Sequence, residues 1–382
     1  MTAIDSVVPV YPSWAQLWRL PHRSAKWRGW FPFNAPGGTW SFSGRVALYH
    51  GLPSLGLPAH STILVPNYHQ GVEIDALLAA GHRLRYYRLD EQLCIDLADL
   101  ERRLDDAVSA LYVTHYFGFA QPLEPIRSFC EAHRLKLIED CALSLFSRDS
   151  GTWLGSVGDL ALFSVYKTLP LPHGGFLVTK QPHATVPLRR APWQSTATQT
   201  LDLLQQGLRA CGWGQLESRM RHTSHWIAQR VRWDQKRTVT SGGARWDPRL
   251  LEYGASSWTV WLMGFMDREE VVARRRANFL RLAAHLRRYV PVPFRELRLG
   301  TCPLFLPVLV PDKIRCQRDL EALGVQSVNL WDASHPTCPQ DLAEEVSGWR
   351  QHCLELPVHQ ELRPEDIDRV ATAVLTVLGN RE

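Results

Sequence analysis

From Ser43 onward the chain alternates short apolar runs with stretches of helical periodicity, and this alternation constrains the fold more than any other feature. Residues 61–65, 83–88, 110–114 and 135–140 read as strands. Residues 45–52, 72–80, 97–103 and 123–134 read as helices, with Pro53 stopping the first and Gly81 ending the second. Two more apolar runs follow at 160–166 and 176–178. Strands that alternate with helices imply the α/β class, a mostly parallel central sheet covered by helices on both faces.

The ends of the chain depart from this rhythm. Residues 1–38 are rich in Trp, Pro and Arg, lack periodicity and finish in a Pro- and Gly-containing loop. Residues 39–245 form the expected large domain. Its last part, 181–245, is a polar, basic excursion with an amphipathic piece at 201–208. Asp247-Pro248-Arg249 marks a boundary, and 246–382 reads as a smaller α+β domain. Helices are expected there at 257–265, 271–289, 317–323 and 365–378, with a strand at 302–310. Gly324 closes one of these helices, while Pro364 and Gly379 bracket the last.

Chemistry concentrates at two strand ends. Asp140 closes the run that begins at Leu135, and Lys167 closes the run that begins at Leu160, just before His173-Gly174-Gly175. Open α/β sheets bind ligands at the carboxyl ends of their strands. An acid and a lysine so placed are the pairing that pyridoxal phosphate needs. The lysine forms a Schiff base with the cofactor aldehyde, and the carboxylate keeps the pyridine nitrogen protonated. On spacing alone, a surface lysine and a helix-capping aspartate are the competing explanation.

The flanking residues add to the pair. Ile138-Glu139-Asp140-Cys141-Ala142, Gly155-Ser156-Val157-Gly158-Asp159, Phe163-Ser164, Lys167 and Gly174-Gly175 occur in an order that resembles the cofactor core of the DegT/DnrJ-type aminotransferases. Ser43-Gly44-Arg45-Val46-Ala47-Leu48, Ile63-Leu64-Val65-Pro66, Thr114-His115-Tyr116-Phe117-Gly118, Arg274 to Phe279 and Leu356-Pro357-Val358-His359 resemble further segments of that family. The likeness covers roughly residues 40 to 375. It implies the pyridoxal-phosphate transferase fold of the aspartate aminotransferase type, with a large cofactor domain and a smaller C-terminal one. It also implies transfer of an amino group from glutamate or glutamine to a keto acceptor, with a nucleotide-linked keto-sugar as the candidate. Other pyridoxal-phosphate carbanion chemistry, dehydratase-like, and a catalytically degenerate regulatory or scaffold homologue are the alternatives.

The resemblance assigns residues one by one. Lys167 and Asp140 are the catalytic pair. Gly44 and Arg45 open a helix whose free N–H groups suit the cofactor phosphate, and Arg45 stands where the family commonly has Thr. Ser164 matches a serine that contacts phosphate. His69, then Tyr68, is the candidate for stacking on the ring. His173 and Trp331 are weaker candidates for substrate contact. Asp159 reads as a turn residue capping backbone donors. Leu143 is a departure, because the family commonly has Gln or His there, near the cofactor's phenolic oxygen. A homodimer is implied too, with 181–245 as the reaching element.

Composition excludes several classes. The net charge of +5 comes from scattered arginines, with no block of like charge that would suggest a nucleic-acid arm. No apolar run approaches the ~18 residues of a membrane span. The eight cysteines form no Cys-x-x-Cys pair and read as reduced thiols. His222 and His225 are too few for a metal site, and none is expected. The first residues lack the pattern of a signal peptide, so cytoplasm is the default expectation.

Overall fold

The computed structural model describes residue 4 and residues 24–181, 187–210 and 247–379. Its centre is a seven-stranded sheet. The strands are β1 (Thr39–Ser41), β2 (Thr62–Pro66), β3 (Arg83–Tyr87), β4 (Val108–Thr114), β5 (Lys136–Asp140), β8 (Leu160–Ser164) and β9 (Gly175–Thr179), in the spatial order β1-β9-β8-β5-β4-β2-β3. The five strands from β3 to β8 run parallel. β9 is antiparallel to β8, and β1 is antiparallel to β9. A small ribbon of β6 (Arg148–Asp149) and β7 (Thr152–Trp153) stands apart.

The strands read as continuous apolar runs because both faces of the sheet are covered. Successive side chains point to opposite faces. Ile63 and Val65 of β2, Tyr112 of β4 and Ile138 of β5 therefore pack on one side, against α1 (Gly44–Gly51) and α2 (Val72–Ala79) through Ala47, Leu48, Ile74 and Leu77. Leu64, Leu111, Val113 and Leu137 pack on the other, against Ile126 and Cys130 of α4 (Leu123–Ala132). α3 (Leu97–Arg102) begins at Asp96, whose side chain accepts the Asp99 amide at 3.0 Å. α4 buries Leu123, Ile126 and Cys130 while Glu124 and Glu131 stay exposed, the stripe of an amphipathic helix.

After β8 come a single helical turn, α5 (Val165–Thr168), and later α6 (Trp193–Ala210), which contains the amphipathic piece at 201–208. The rest of the excursion, 211–246, lies outside the described residues, as do His222 and His225. The C-terminal part holds α7 (Ser257–Leu262), α8 (Arg268–Leu286), β10 (Phe305–Leu309), α9 (Lys313–Ala322), α10 (Gln340–Glu345), α11 (Ser347–His352), β11 (Cys353–Pro357) and α12 (Pro364–Gly379). β10 and β11 form an antiparallel pair. The first elements beyond 246 pack on the large sheet's side of the molecule, Leu250 against Phe42 and Val46, and Met263 in a cluster with Trp27 and Phe163. One apolar cluster runs without a break from Leu64 and Leu111 to Phe279, Leu306 and Val370. The seven described cysteines are all free, and six are buried. Among the described residues no helix is long and apolar enough to cross a membrane.

Two fully charged side chains sit inside this core. Arg275 of α8 is 1% exposed and donates to Gln360 Oε1 at 2.8 Å, to the Pro303 and Leu304 carbonyls at 3.2 and 3.1 Å, and to the Thr168 carbonyl at 2.9 Å. Arg350 of α11 donates to the carbonyls of Trp331 (2.8 Å), Ala333 (2.9 Å), His69 (3.2 Å) and Asn67 (3.2 Å). Neither guanidinium pairs with a carboxylate among the described residues. Each is bonded mainly to backbone carbonyls drawn from segments far apart in sequence, and Arg350 Nε has no partner among the described residues.

Glu355 of β11 is a buried acid of a different kind. Its Oε2 accepts the Leu330 amide at 3.1 Å, and its Oε1 has no partner among the described residues. Burial pushes its carboxyl up to about 7, against the opposing effect of Lys313, whose Nζ donates to the Leu330 and Arg350 carbonyls. The folded state therefore holds this proton more tightly than the unfolded chain does. Stability is greatest below the ordinary glutamate range and declines as pH rises from there through about 7. The decline amounts to about 3 kcal/mol. In Glu355→Gln that part of the decline should vanish. Chemical denaturation of both proteins across this pH range checks it, and equal pH dependence of the two refutes the assignment.

Candidate active site

The carboxyl ends of β5 and β8 lie side by side, since the two strands are neighbours in the sheet. The pocket there is lined by Ser43, Gly44, Arg45, Gln70, Glu73, Asp140, Leu143, Ser164, Lys167 and Trp331, with Leu48, Val72, Ala142, Leu162 and Tyr166 completing its wall. Six of the nine residues proposed from sequence thus come together: Lys167, Asp140, Gly44, Arg45, Ser164 and Trp331.

Asp140 ends β5 and is buried. Its Oδ1 accepts the Ala142 amide at 2.8 Å, and its Oδ2 accepts the Tyr112 hydroxyl at 2.8 Å. Burial raises its pKa, while those two donors and the nearby Lys167 act in the other direction. Its neighbour Glu139 faces the opposite side of the sheet. Glu139 accepts the amides of Gly155, Val157 and Gly158, and His115 Nε2 lies 3.1 Å from it. His115 Nδ1 accepts the Gln121 amide, so Nε2 carries the proton given to Glu139. This buried group of His115, Glu139 and Cys141 has the atom spacing of a metal site. Its carboxylate is already saturated by protein donors, however, and these fix the 155–158 turn. Asp159 accepts the Leu137 amide at 2.9 Å, as expected of a turn residue.

Lys167 does not close a strand. β8 stops at Ser164, and Lys167 lies on α5, one turn further on. The Val165 amide bonds to the Gly174 carbonyl, and the Thr168 carbonyl receives Arg275 Nη2 and, at 3.3 Å, Gln360 Nε2. The lysine's turn is held from both sides, and its half-buried side chain is left to the pocket.

Across the pocket, α1 begins at Ser43. This residue is in the extended N-cap conformation, yet its side chain makes no capping bond, and its buried Oγ has no partner among the described residues. An added Cβ on Gly44 would lie 2.5 Å from Ser164 Oγ. The helix start and the end of β8 therefore approach as closely as a glycine allows. First-turn amides, an orphan hydroxyl and the Arg45 side chain converge on one corner, which is the donor set an anion requires.

His69 and Tyr68 lie elsewhere. Gly71, at φ +109°, turns the chain into α2, so that Gln70 and Glu73 reach the pocket and the two residues before them face the core. His69 is fully buried; its Nδ1 donates to the Pro66 carbonyl at 3.1 Å, and its Nε2 accepts the His335 amide at 3.0 Å. Burial, then the Arg350 charge, push it down to about 3, so it is neutral. The Tyr68 ring packs 4.9 Å from Trp331 and 5.6 Å from Tyr116, one layer behind the pocket. His173 is stacked 4.7 Å from Phe42 with Nε2 3.2 Å from Thr196 Oγ1, and it does not line the pocket. Trp331 does. It sits at φ +54°, with its carbonyl held by Arg350 and its indole N–H without a partner among the described residues.

Sequence reasoning missed Ser43, Gln70, Glu73 and Tyr112. Tyr112 was accessible from strand alternation, because Thr114 pairs with Asp140 and Tyr112 lies two residues earlier on the same face. Gln70 and Glu73 depend on the turn at Gly71, which carries no helical or strand periodicity.

The arrangement has relatives. GDP-perosamine synthase of Vibrio cholerae is 27% identical over 140 residues, 36% of this chain and 38% of that protein. The alignment thus spans well under half the length of that relative. Among solved structures, the aminotransferase TlmJ from Streptoalloteichus hindustanus superposes with a TM-score of 0.68 at 19% identity, covering 99% of both chains. NtdA from Bacillus subtilis, solved with bound cofactor PMP, superposes with a TM-score of 0.60 at 18% identity, covering 91% of this chain and 74% of that one. At these identities the superpositions establish the fold. The sequence pattern of one family matches residues 41–237, just over half of the 382 residues and all five parallel strands of the sheet. On that match the chain belongs to the DegT/DnrJ/EryC1/StrS aminotransferase family.

Proposed function

We propose that this protein is a pyridoxal-phosphate-dependent aminotransferase that moves an amino group from glutamate or glutamine to a keto acceptor, a nucleotide-linked keto-sugar. One observation carries the reading: Asp140, Lys167 and the anion corner at Ser43–Arg45 and Ser164 line a single pocket. The relatives' names support the substrate class. The residues fit the cofactor, with an amine, an acid and a phosphate-sized set of donors around apolar Val72, Ala142 and Leu143.

When bound, pyridoxal phosphate supplies an aldehyde that condenses with an amine and a ring that takes up electrons released at the substrate carbon. Lys167 Nζ is the amine that would hold the aldehyde and, when free, would move a proton to and from the substrate carbon. Asp140 keeps a proton on the ring nitrogen, and Tyr112 and the Ala142 amide orient its carboxylate. The amides of the first turn of α1, Ser43 Oγ, Ser164 Oγ and Arg45 hold the phosphate. Trp331 offers the acceptor its indole N–H, which has no partner among the described residues. The functional unit is a homodimer, with the partner completing each site; α6, which exposes Trp193 (70%), belongs to the segment that reaches across.

Absorbance of the purified protein with added cofactor tests the reading. A violet band should form, shift when an amino donor is added, and be absent in Lys167→Ala. A Lys167→Ala variant with an unchanged band and unchanged turnover would refute it. The phosphate corner has its own expected result. Gly44→Val places branched carbons against Ser164 Oγ and should weaken cofactor affinity about tenfold or more, with the fold retained in far-UV circular dichroism. Unchanged affinity would put the phosphate elsewhere.

A further inference from the structure

The pocket contains two carboxyl groups where one was expected. Glu73 is the second residue of α2 and is only 7% exposed. It lines the same cavity as Asp140 and Lys167, and its Oε1 accepts the Gln70 amide at 2.8 Å. The titratable and charged groups that act on it electrostatically are Asp140 on β5, Lys167 on α5, Tyr112 on β4, Tyr116 just beyond β4, Tyr86 on β3 and Arg350 on α11. Two acids in one buried pocket do not both ionise cheaply, and the proton stays on the one whose anion is less well stabilised. Asp140 receives the Tyr112 hydroxyl and a backbone amide, whereas Glu73 receives backbone amides only, its own and that of Gln70. Burial and the nearby Asp140 both raise the Glu73 carboxyl, with the two backbone amides and then Lys167 opposing. Leu143 and Ala142 on the same wall offer no hydrogen bond to a ligand.

Building on the aminotransferase reading, we propose that Glu73 is a cofactor-positioning residue, a neutral acid that donates a hydrogen bond to the phenolic oxygen of the bound pyridine ring. A neutral carboxyl has one O–H to give and can still accept the Gln70 amide on its other oxygen. It adds no second negative charge beside Asp140, so it binds an electron-rich oxygen where a carboxylate would repel it.

The test compares wild type, Glu73→Gln and Glu73→Leu by titration with pyridoxal phosphate and by the pH dependence of the bound cofactor's absorbance. Glutamine is neutral and still donates. It should leave affinity within about threefold and the absorbance midpoint in place, whereas leucine should weaken affinity about tenfold. Leucine should also move the midpoint to higher pH, because a donor that stabilises the anionic oxygen has been lost. A midpoint that falls in both variants would show an ionised Glu73 and overturn the proposal. So would unchanged affinity and midpoint in both, with only a lowered melting temperature, which is the signature of a helix-start residue alone. Equal weakening by Gln and Leu would also overturn it. Wild type that takes up no cofactor would overturn the aminotransferase reading itself, an outcome distinct from these.

Discussion

Asp140→Asn should cut turnover by about 10²–10³-fold, the range seen when one preorganised electrostatic group is removed from an active site, while leaving the protein folded and able to take up cofactor. In the proposed reading the carboxylate is the charge that would keep the ring nitrogen protonated, and Tyr112 and the Ala142 amide orient it. Asparagine keeps the shape and can still accept the Ala142 amide, but it carries no charge. Asp140→Ala should be at least as inactive and less stable, since it strands a buried tyrosine hydroxyl and a backbone amide. Steady-state turnover beside cofactor absorbance separates loss of chemistry from loss of binding. Wild-type turnover in Asp140→Asn would end the assignment.

Arg275→Ala should destabilise the protein by about 3–5 kcal/mol, because it strands several buried acceptors and leaves a cavity in the core. The partners are Gln360 Oε1 and the carbonyls of Pro303, Leu304 and Thr168. Arg275 stays charged although burial lowers it to about 10, so it has no cheap neutral form near pH 7. Arg275→Lys should recover only part of the loss, because three donors on a point charge cannot reproduce the guanidinium fork. Denaturant unfolding gives the free energies, and a loss below about 1 kcal/mol would mean the site collapses around the gap. Turnover should fall as well even at temperatures where the variant is folded, because the Thr168 carbonyl follows Lys167 directly.

Most of the large sheet was legible from the chain because its strands are covered on both sides. Burial on two faces demands an unbroken apolar run, and the runs at β2, β4, β5 and β8 have no other explanation in a chain this long. Asp140 was legible for a related reason, as a charge standing at the point where such a run ends. Lys167 was placed on the correct side of the sheet but on the wrong element, since a single turn such as α5 is too short to show a 3.6-residue period. The ring-facing residue was read as His69 or Tyr68, whereas the pocket receives Gln70 and Glu73. The direction of a side chain in a turn depends on one backbone angle, that of Gly71, which leaves no mark on its neighbours. β1 escaped notice as a three-residue antiparallel edge. β11 escaped because Glu355 interrupts its apolar pattern; its burial depends on Leu330, which is distant in sequence.

The adjacent acids of β5 have an evolutionary corollary. Glu139 grips the 155–158 turn and Asp140 serves the pocket, and only the two-residue pleat of the strand sends them to opposite sides. Inserting or deleting one residue within Lys136–Asp140 would exchange their destinations while leaving the local composition unchanged. The longer acid would then face the pocket, and the shorter one would fall short of the three amides that Glu139 binds. Drift by substitution can proceed slowly around this strand, but drift by change in length cannot. Variation in loop length among relatives of this fold should therefore stop abruptly at both ends of β5, even where the sequence in between has diverged.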